Sequence, residues 1–296
     1  MNDEQTLFLI DGYAQIFRAY FAIRTPMKSP TTGEPTNALF GFTGMLFKLL
    51  TVHAPEHVVV AMDAPGRTFR DELFSEYKGT RAAIPEDLRA QVPRIRQLLD
   101  LFGIAHCEQA GLEADDVIAT IARSVRNDAS GDHLRIRIIT KDKDMEQLLD
   151  DRVSIYDVHT DVLNDTAALW QTKGIRPDQV IDYLTMTGDT VDNVPGVEGI
   201  GAKTAAQLLQ QYGTLEGIYA HLDELSPRRR EALLKAQPGI ALSQALVTLK
   251  CDAELDFPWE RSRRRPIDAP GLIALFQELG FGRYQDQVRK LVDAVA

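Results

Sequence analysis

Short apolar runs punctuate the first half of the chain, and most of them close on an acid. Thr6 to Asp11 reads TLFLID before Gly12, a continuous apolar run that predicts a buried strand presenting a carboxylate at its C-terminal end. Tyr13 to Arg24 has helical spacing. A loop of turn formers follows (Pro26, Ser29, Pro30, Gly33, Pro35), after which Asn37 is placed to cap a helix running to about His53. His57 to Asp63 then repeats the first pattern. Either acid alone could merely end a strand at a turn, but two parallel strands ending this way set Asp11 and Asp63 along one sheet edge, where open α/β folds keep their sites.

The pattern breaks between Ala64 and Pro93. Gly66, Arg67, Phe69, Arg70, Tyr77, Lys78, Gly79, Arg81 and Pro85 mix basic and aromatic residues with little apolar period, and an exposed, mobile segment is expected. It reads as a solvated loop or as a passage for single-stranded nucleic acid, in which rings stack bases and cations hold phosphates. Asp87 to Phe102 predicts an amphipathic helix stopped at Gly103, followed by a short strand near Ile104 to Cys107.

Glu113, Asp115 and Asp116 then open a helix striped by Val117, Ile118, Ile121, Ala122 and Val125. A helix macrodipole accounts for one or two acids in a first turn. It does not account for Asp115 beside Asp116, about 100° apart on the helix and mutually repulsive. Leu134 to Thr140 predicts another strand, delivering Lys141, Asp142, Lys143 and Asp144; if strand geometry persists, Asp142 and Asp144 share a face. Val153 to Tyr156 is the expected last strand. Strands alternating with helices through residue 160 predict a three-layer, mostly parallel α/β sheet.

From about Thr172 only helices are expected, which divides the chain into residues 1–172 and 173–296. Pro177 to Thr187 leads to Asp189 and Asp192 at i, i+3 spacing. A Gly-rich stretch, Pro195 to Thr204, opens a helix to Tyr212; its backbone N–H groups and positive helix end suit phosphate, while the absence of a preceding strand excludes a dinucleotide fingerprint. Two basic runs follow, Arg228, Arg229, Arg230 with Lys235, and Arg261, Arg263, Arg264, Arg265, the second expected as a solvated face. Helices over Pro270 to Gly280 and Arg283 to Val295 close the pattern.

Composition adds limits. With 296 residues and 44% hydrophobic content the chain can bury a large core. Cys107 and Cys251 stand alone in no CxxC spacing, which argues against a disulfide framework or thiolate zinc site and fits a reducing cytosol. The run after Met1, Asn2, Asp3 and Glu4 is too short for a signal peptide or membrane span. A net charge of −10 argues against a nucleic-acid partner unless the acids gather around cations and leave the basic clusters free.

Nine acids fit that exception: Asp11, Asp63, Glu113, Asp115, Asp116, Asp142, Asp144, Asp189 and Asp192 fall at element boundaries without His or Cys among them. An all-oxygen set suits Mg2+ or Mn2+ rather than zinc, and so many carboxylates imply more than one cation. Two metals about 3.5 to 4 Å apart are the apparatus of in-line phosphodiester hydrolysis, with Lys78 or Arg81 supplying positive charge to the transition state.

The segments LIDG with FRAY, NALFGF, VVVAMDAPGRTFRDELFSEYKGTR, GLEADDVIATIA, TKDKDMEQLL and MTGDTVDNVPGVEGIGAKTA resemble, in order over residues 6 to 250, the 5′ nuclease domain that begins bacterial DNA polymerase I, within the flap endonuclease superfamily. The resemblance implies a PIN-like core, a helical arch over residues 64–93 and a helix-three-turn-helix element over 188–236. It assigns metal binding (Mg2+, with Mn2+ able to substitute) to all nine acids and places Tyr77, Lys78 and Arg81 at the arch base. It makes Arg18 and Arg70 phosphate contacts and gives Gly196, Gly199, Gly201 and Lys203 to a loop that holds K+ against duplex DNA. The substrates implied are 5′ flaps, nicks and 5′ ends, including RNA primers, in replication and repair, with a DNA polymerase as partner and a monomeric, cytoplasmic, nucleoid-associated protein. The chain is then a stand-alone member or a polymerase fragment. Lys141 replaces a glycine of the pattern and Phe21 a frequent histidine. The alternatives are a PIN-type ribonuclease, which leaves residues 195–212 unexplained, and a catalytically silent DNA-junction binder, for which no missing ligand speaks.

Overall fold

In the computed structural model of the chain, which describes residues 5–293, the apolar runs become strands β1 (Thr6–Asp11), β2 (His57–Ala61), β3 (Ala105–Cys107), β4 (Arg135–Ile139), β5 (Val153–Asp157) and β6 (Val162–Asn164). Met1–Glu4 and the expected helix end at Val295 lie outside the described residues. The strands form one sheet in the order β3-β2-β1-β4-β5-β6, parallel except for β6, which runs antiparallel to β5. β1 lies at the centre and its apolar residues are buried on both faces, as a continuous apolar run requires. Leu7 and Leu9 join Val59, Ile136 and Ile138 against the acidic helix Ala114–Asn127. Phe8 and Ile10 join Val58 and Val60 under helices Gly12–Ala22 and Asn37–Val52.

Register decides where the acids go. Asp11 pairs with Ala61 and Ile10 with Ile139, so β1, β2 and β4 end level and deliver Asp11, Asp63 and the residues after Thr140 to the same edge. Helices Val180–Thr187, Ala202–Tyr212, Leu215–Ala220 and Pro227–Val247 share a core with the acidic helix through Leu184, Leu209, Ile218 and Leu233. Beyond them the chain returns: Arg264 N–H donates to Glu56 O at 2.8 Å, Arg265 N–H to Gly103 O at 2.9 Å, and helices Ala269–Leu279 and Gly282–Asp293 pack on the opposite face beside Phe47. Among the described residues no helix is long and apolar enough to cross a membrane.

Several local expectations need correction. Val153–Asp157 is not the last strand, because the exposed, three-residue β6 is too short to show alternation. The helix expected over Asp87 to Phe102 is two, Glu86–Arg89 and Val92–Leu101. Pro93, with no N–H and a ring that clashes with the preceding turn, forces the break. Asn37 is the first helical residue rather than a cap. Leu39 N–H is instead met by the buried Gln91 Oε1 at 3.0 Å, a cap supplied from the break itself. The segment 64–93 is exposed at most positions but anchored at the buried Arg70, Tyr77, Leu88 and Gln91, and it carries two short helices, Phe69–Leu73 and Glu86–Arg89. The second basic run is partly taken up by the chain: Arg264 Nε donates to Pro55 O at 2.6 Å and Arg263 pairs with Glu56 at 2.5 Å.

Gly103 shows how tightly the returning segment is held. It adopts φ 68°, and a Cβ there would lie 2.2 Å from Arg265 O. Gly103→Ala is expected to destabilise the fold by about 2 to 4 kcal/mol through strain and displaced backbone; an unchanged urea midpoint would contradict this packing.

Candidate active site

Several of the acids reach the edge held by donors that the surrounding elements supply. Asp11 caps the helix that follows it, with Oδ1 accepting from Ala14 N–H at 3.0 Å, while Oδ2 accepts from the Thr140 hydroxyl at 3.0 Å. Thr140 Oγ1 also accepts from Asp142 N–H at 3.0 Å, joining β1 and β4 at their ends. Asp63 is exposed, and its Oδ1 accepts from Ala114 N–H at 2.7 Å, tying the end of β2 to the acidic helix. Glu113 sits at that helix's N-cap, and Asp115 in the first turn is partly buried. Strand geometry does not persist to Asp144: the chain turns into the 3₁₀ helix Lys143–Leu148, and Asp142 Oδ1 caps it through Asp144 N–H at 2.9 Å. Asp189 Oδ1 gathers Val191 N–H at 2.7 Å and Asp192 N–H at 3.2 Å, closing a turn. Gly188 and Gly196 make that turn possible, since a Cβ on Gly188 would lie 2.6 Å from Gly196 N.

Asp116 is a different case. It is 0% exposed, and its four acceptor positions are filled. Oδ1 takes Arg70 Nη2 at 2.8 Å and Lys250 N–H at 2.9 Å; Oδ2 takes Arg70 Nη1 at 2.7 Å and Glu113 N–H at 3.2 Å. Expected among the metal acids, Asp116 is set apart from the others in this structure by spending its acceptor positions on the chain itself. Arg70, expected as a phosphate contact, is committed in the same way: at 2% exposure it donates to Asp116, to Leu246 O at 2.8 Å and to Thr248 O at 3.0 Å, and Glu113 Oε2 lies 3.3 Å from Nη1, so its donors are spent inside the fold.

Three cations from the chain lie against the remaining acids. Lys78 Nζ is 2.5 Å from Glu113 Oε1 and 4.0 Å from Asp192 Oδ2; Arg81 pairs with Asp192, and Lys143 Nζ is 3.0 Å from Asp189 Oδ2. Burial favours neutral Lys78, but Glu113 and Asp192 outweigh it and hold the amine above its ordinary pKa. Tyr77 donates to Glu113 Oε2 at 3.2 Å and is pushed up, first by burial and then by that carboxylate. Burial also works against ionised Asp189, yet Lys143 holds its carboxyl below the usual range.

The unpaired acids carry the opposite signature. Burial raises Asp11 to about 6, with Asp63 and Asp142 adding repulsion. Asp115 is raised by burial and then by Asp11 and Asp142. Asp144 is pushed up to about 8 by burial and then by Asp142, and its buried Oδ1 has no hydrogen-bond partner. Among the described residues no three acids close around a single point. The donor set is nevertheless all oxygen, and its repulsion is only partly relieved by Lys78, Arg81 and Lys143. An orphaned carboxylate oxygen with raised neighbours fits a hard divalent cation.

Of the other expected site residues, Gly196 lies inside the Asp189 turn, Gly199 has φ 77°, Gly201 precedes helix Ala202–Tyr212, and Lys203 is exposed in its first turn. Arg18 pairs with Asp157 at 3.0 Å on the β5 side of the edge. Thr140 and Lys143 were absent from the expected site. Their signals were present, a hydroxyl directly after a strand and a lysine between two aspartates.

A six-stranded, mostly parallel sheet with acids along its C-terminal edge and a helical lobe beside it defines an α/β fold of the metal-nuclease type. The sequence model of the 5′-3′ exonuclease N-terminal, resolvase-like domain matches residues 6–176, and that of the 5′-3′ exonuclease C-terminal SAM fold matches residues 175–270. The chain belongs to the 5′-3′ exonuclease family. It is 34% identical over 287 residues to a 5′-3′ exonuclease of Aquifex aeolicus, covering 97% of this chain and 96% of that one. To the thermostable DNA polymerase I of Thermus thermophilus it is 38% identical over 277 residues, 93% of this chain but 32% of the polymerase, so it spans about a third of such relatives. Its fold matches T5 5′-exonuclease with divalent metal ions (zinc) bound (TM-score 0.64, 22% identity, 98% of both chains). It also matches the catalytic core of Rad2 in complex with DNA substrate (TM-score 0.67, 16% identity, 99% of this chain and 93% of that one).

Two outcomes follow from the site's charges. Arg70→Met leaves Asp116 buried and unpaired and is expected to cost about 3 to 5 kcal/mol in urea unfolding, much of it recovered by Arg70→Met with Asp116→Leu. A loss under about 1 kcal/mol would show the pair to be incidental. For pH, Asp11 and Asp144 hold protons in the fold that the unfolded chain releases near its ordinary carboxylate pKa. In EDTA, stability should therefore fall as pH rises from about 4 to about 8, and Asp144→Asn should flatten that slope; a melting temperature rising across this window would contradict the assignment.

Proposed function

We propose that the chain is a structure-specific 5′ nuclease that hydrolyses phosphodiester bonds at 5′ flaps and 5′ ends of duplex DNA. The observation that carries this is the acidic edge: carboxylates from five segments, with Asp11, Asp115 and Asp144 raised by burial and then by neighbouring carboxylates, stand beside Lys78 and Arg81. Asp11, Asp63, Glu113, Asp115, Asp142, Asp144, Asp189 and Asp192 would hold the ions, two or more Mg2+ with Mn2+ as substitute. Bound there, such ions supply Lewis-acid polarisation of the phosphate and a water of lowered pKa.

The chain's own residues do the rest. Thr140 and Ala14 N–H fix Asp11, and Asp63 is fixed by Ala114 N–H, so these acids point without searching rotamers. Lys78 and Arg81 are drawn to Glu113 and Asp192 in this structure. Released from those acids, both side chains would turn to the phosphate and stabilise charge developing on its oxygens. Tyr77 keeps Glu113 oriented. The loop bearing Gly196, Gly199 and Gly201, with Lys203, grips the duplex through backbone groups and a K+ ion. RNA primers are among the 5′ ends this reading includes, and the likeness to DNA polymerase I supports a link to a polymerase.

A labelled 5′-flap duplex tests this. The expected result is Mg2+-dependent release of the flap, reduced by more than about 100-fold in Asp142→Asn. No release by the parent protein, or full activity in the variant, overturns the proposal. Millimolar Mg2+ should also raise the melting temperature, by an amount that grows with ion concentration because only the folded edge binds it.

A further inference from the structure

The acidic edge ends, on its β5 side, in a patch of opposite sign. β5 closes with Asp157, which lies between two cations from different elements. Arg18 Nη1 of the first helix is 3.0 Å from Asp157 Oδ1, and Lys141 Nζ, from the residue after Thr140, is 3.7 Å from Asp157 Oδ2. Lys48 stands next to them, donating to His159 O at 3.4 Å and to Asp161 Oδ2 at 2.8 Å. Three cations face two carboxylates, which leaves the patch positive beside an edge that is strongly negative. His159 registers this field: burial first, then Arg18, Lys48 and Lys141, hold its imidazole below the ordinary pKa, with Asp157 opposing them.

Lys141 is not consumed by its ion pair. Its side chain is 62% exposed, and a single long contact to one carboxylate leaves ammonium donors facing solvent. Arg18 is 25% exposed and makes one bond to Asp157 from Nη1. Asp157 is itself set in place by His159 N–H at 2.9 Å, so it tethers both cations at a fixed separation. A phosphodiester carries one negative charge on two outward oxygens, which two tethered cations match, whereas a metal ion would be repelled by them. The position also fits: a strand whose scissile phosphate lies at Asp11 and Asp142 carries its neighbouring phosphates along the same rim.

We propose that Arg18 and Lys141, spaced by Asp157, grip a backbone phosphate of the DNA strand on the β5 side of the acidic edge. This rests on the nuclease reading and adds to it a residue that the resemblance lacks, since glycine stands at position 141 in its pattern. Lys141 is thus a substrate contact, not a modulator of the metal site.

The test is equilibrium binding of a fluorescent 5′-flap DNA duplex in EDTA, across a salt series. Lys141→Gly should weaken binding by roughly three- to tenfold and lower the slope of log K against log salt by about one, uniformly across DNA sequences; Lys141→Glu should weaken it further. A slope unchanged in Lys141→Gly overturns the proposal. The Mg2+-induced rise in melting temperature should be the same in Lys141→Gly as in the parent protein; a larger rise would show that Lys141 acts on the metal ions, and overturns it too. Failure of the parent protein to bind the duplex at all would instead sink the nuclease reading.

Discussion

One buried ion pair fixes the geometry of the acidic edge. Arg70 and Asp116 are 2% and 0% exposed, and charges so deeply removed from water are tolerable only when every donor and lone pair is used. Here they are. The guanidinium joins Asp116 to the carbonyls of Leu246 and Thr248, and Asp116 takes the N–H groups of Glu113 and Lys250. Three segments distant in sequence thereby meet at the acidic helix's first turn: the helix Phe69–Leu73, the acidic helix itself and the end of helix Pro227–Val247. Glu113 inherits its position from this lock, and through Glu113 so do Tyr77 and Lys78.

The lock is needed because its surroundings push apart. Helix N-termini and the Thr140 hydroxyl hold individual acids, but these donors do not remove the repulsion among them. The chain meets part of that cost with Lys78, Arg81 and Lys143, and leaves the rest as raised pKa values at Asp11, Asp115 and Asp144. An edge in this condition is primed for cations. The same charges explain how a chain of net charge −10 can belong to a nuclease family: nine of its acids gather at one edge, where cations would offset them, and cations of the chain such as Lys141 and Arg18 border that zone.

The sheet was legible in the sequence because apolar runs such as TLFLID and HVVVA report burial directly, and parallel strands ending in acids fix which edge matters. Contacts between distant segments were not. Nothing local to Arg70 reveals that carbonyls at 246 and 248 await it, so the buried lock it forms with Asp116 was not legible. Gln91 capping Leu39 is hidden for the same reason. β6 was missed because three exposed residues carry no period, and the bend after Asp142 because a capping turn and a strand end look alike until the next residues turn.

Proton release on metal binding tests the central claim that the edge is assembled, repulsive and waiting for cations. Titrating Mg2+ calorimetrically at pH 7 in two buffers of different ionisation enthalpy counts the protons exchanged. With Asp144 raised to about 8, the metal-free edge holds a proton that a cation must expel, so binding should release protons and the release should shrink as pH rises past that value. Mg2+ binding with no proton release, or no binding at all, would contradict the account.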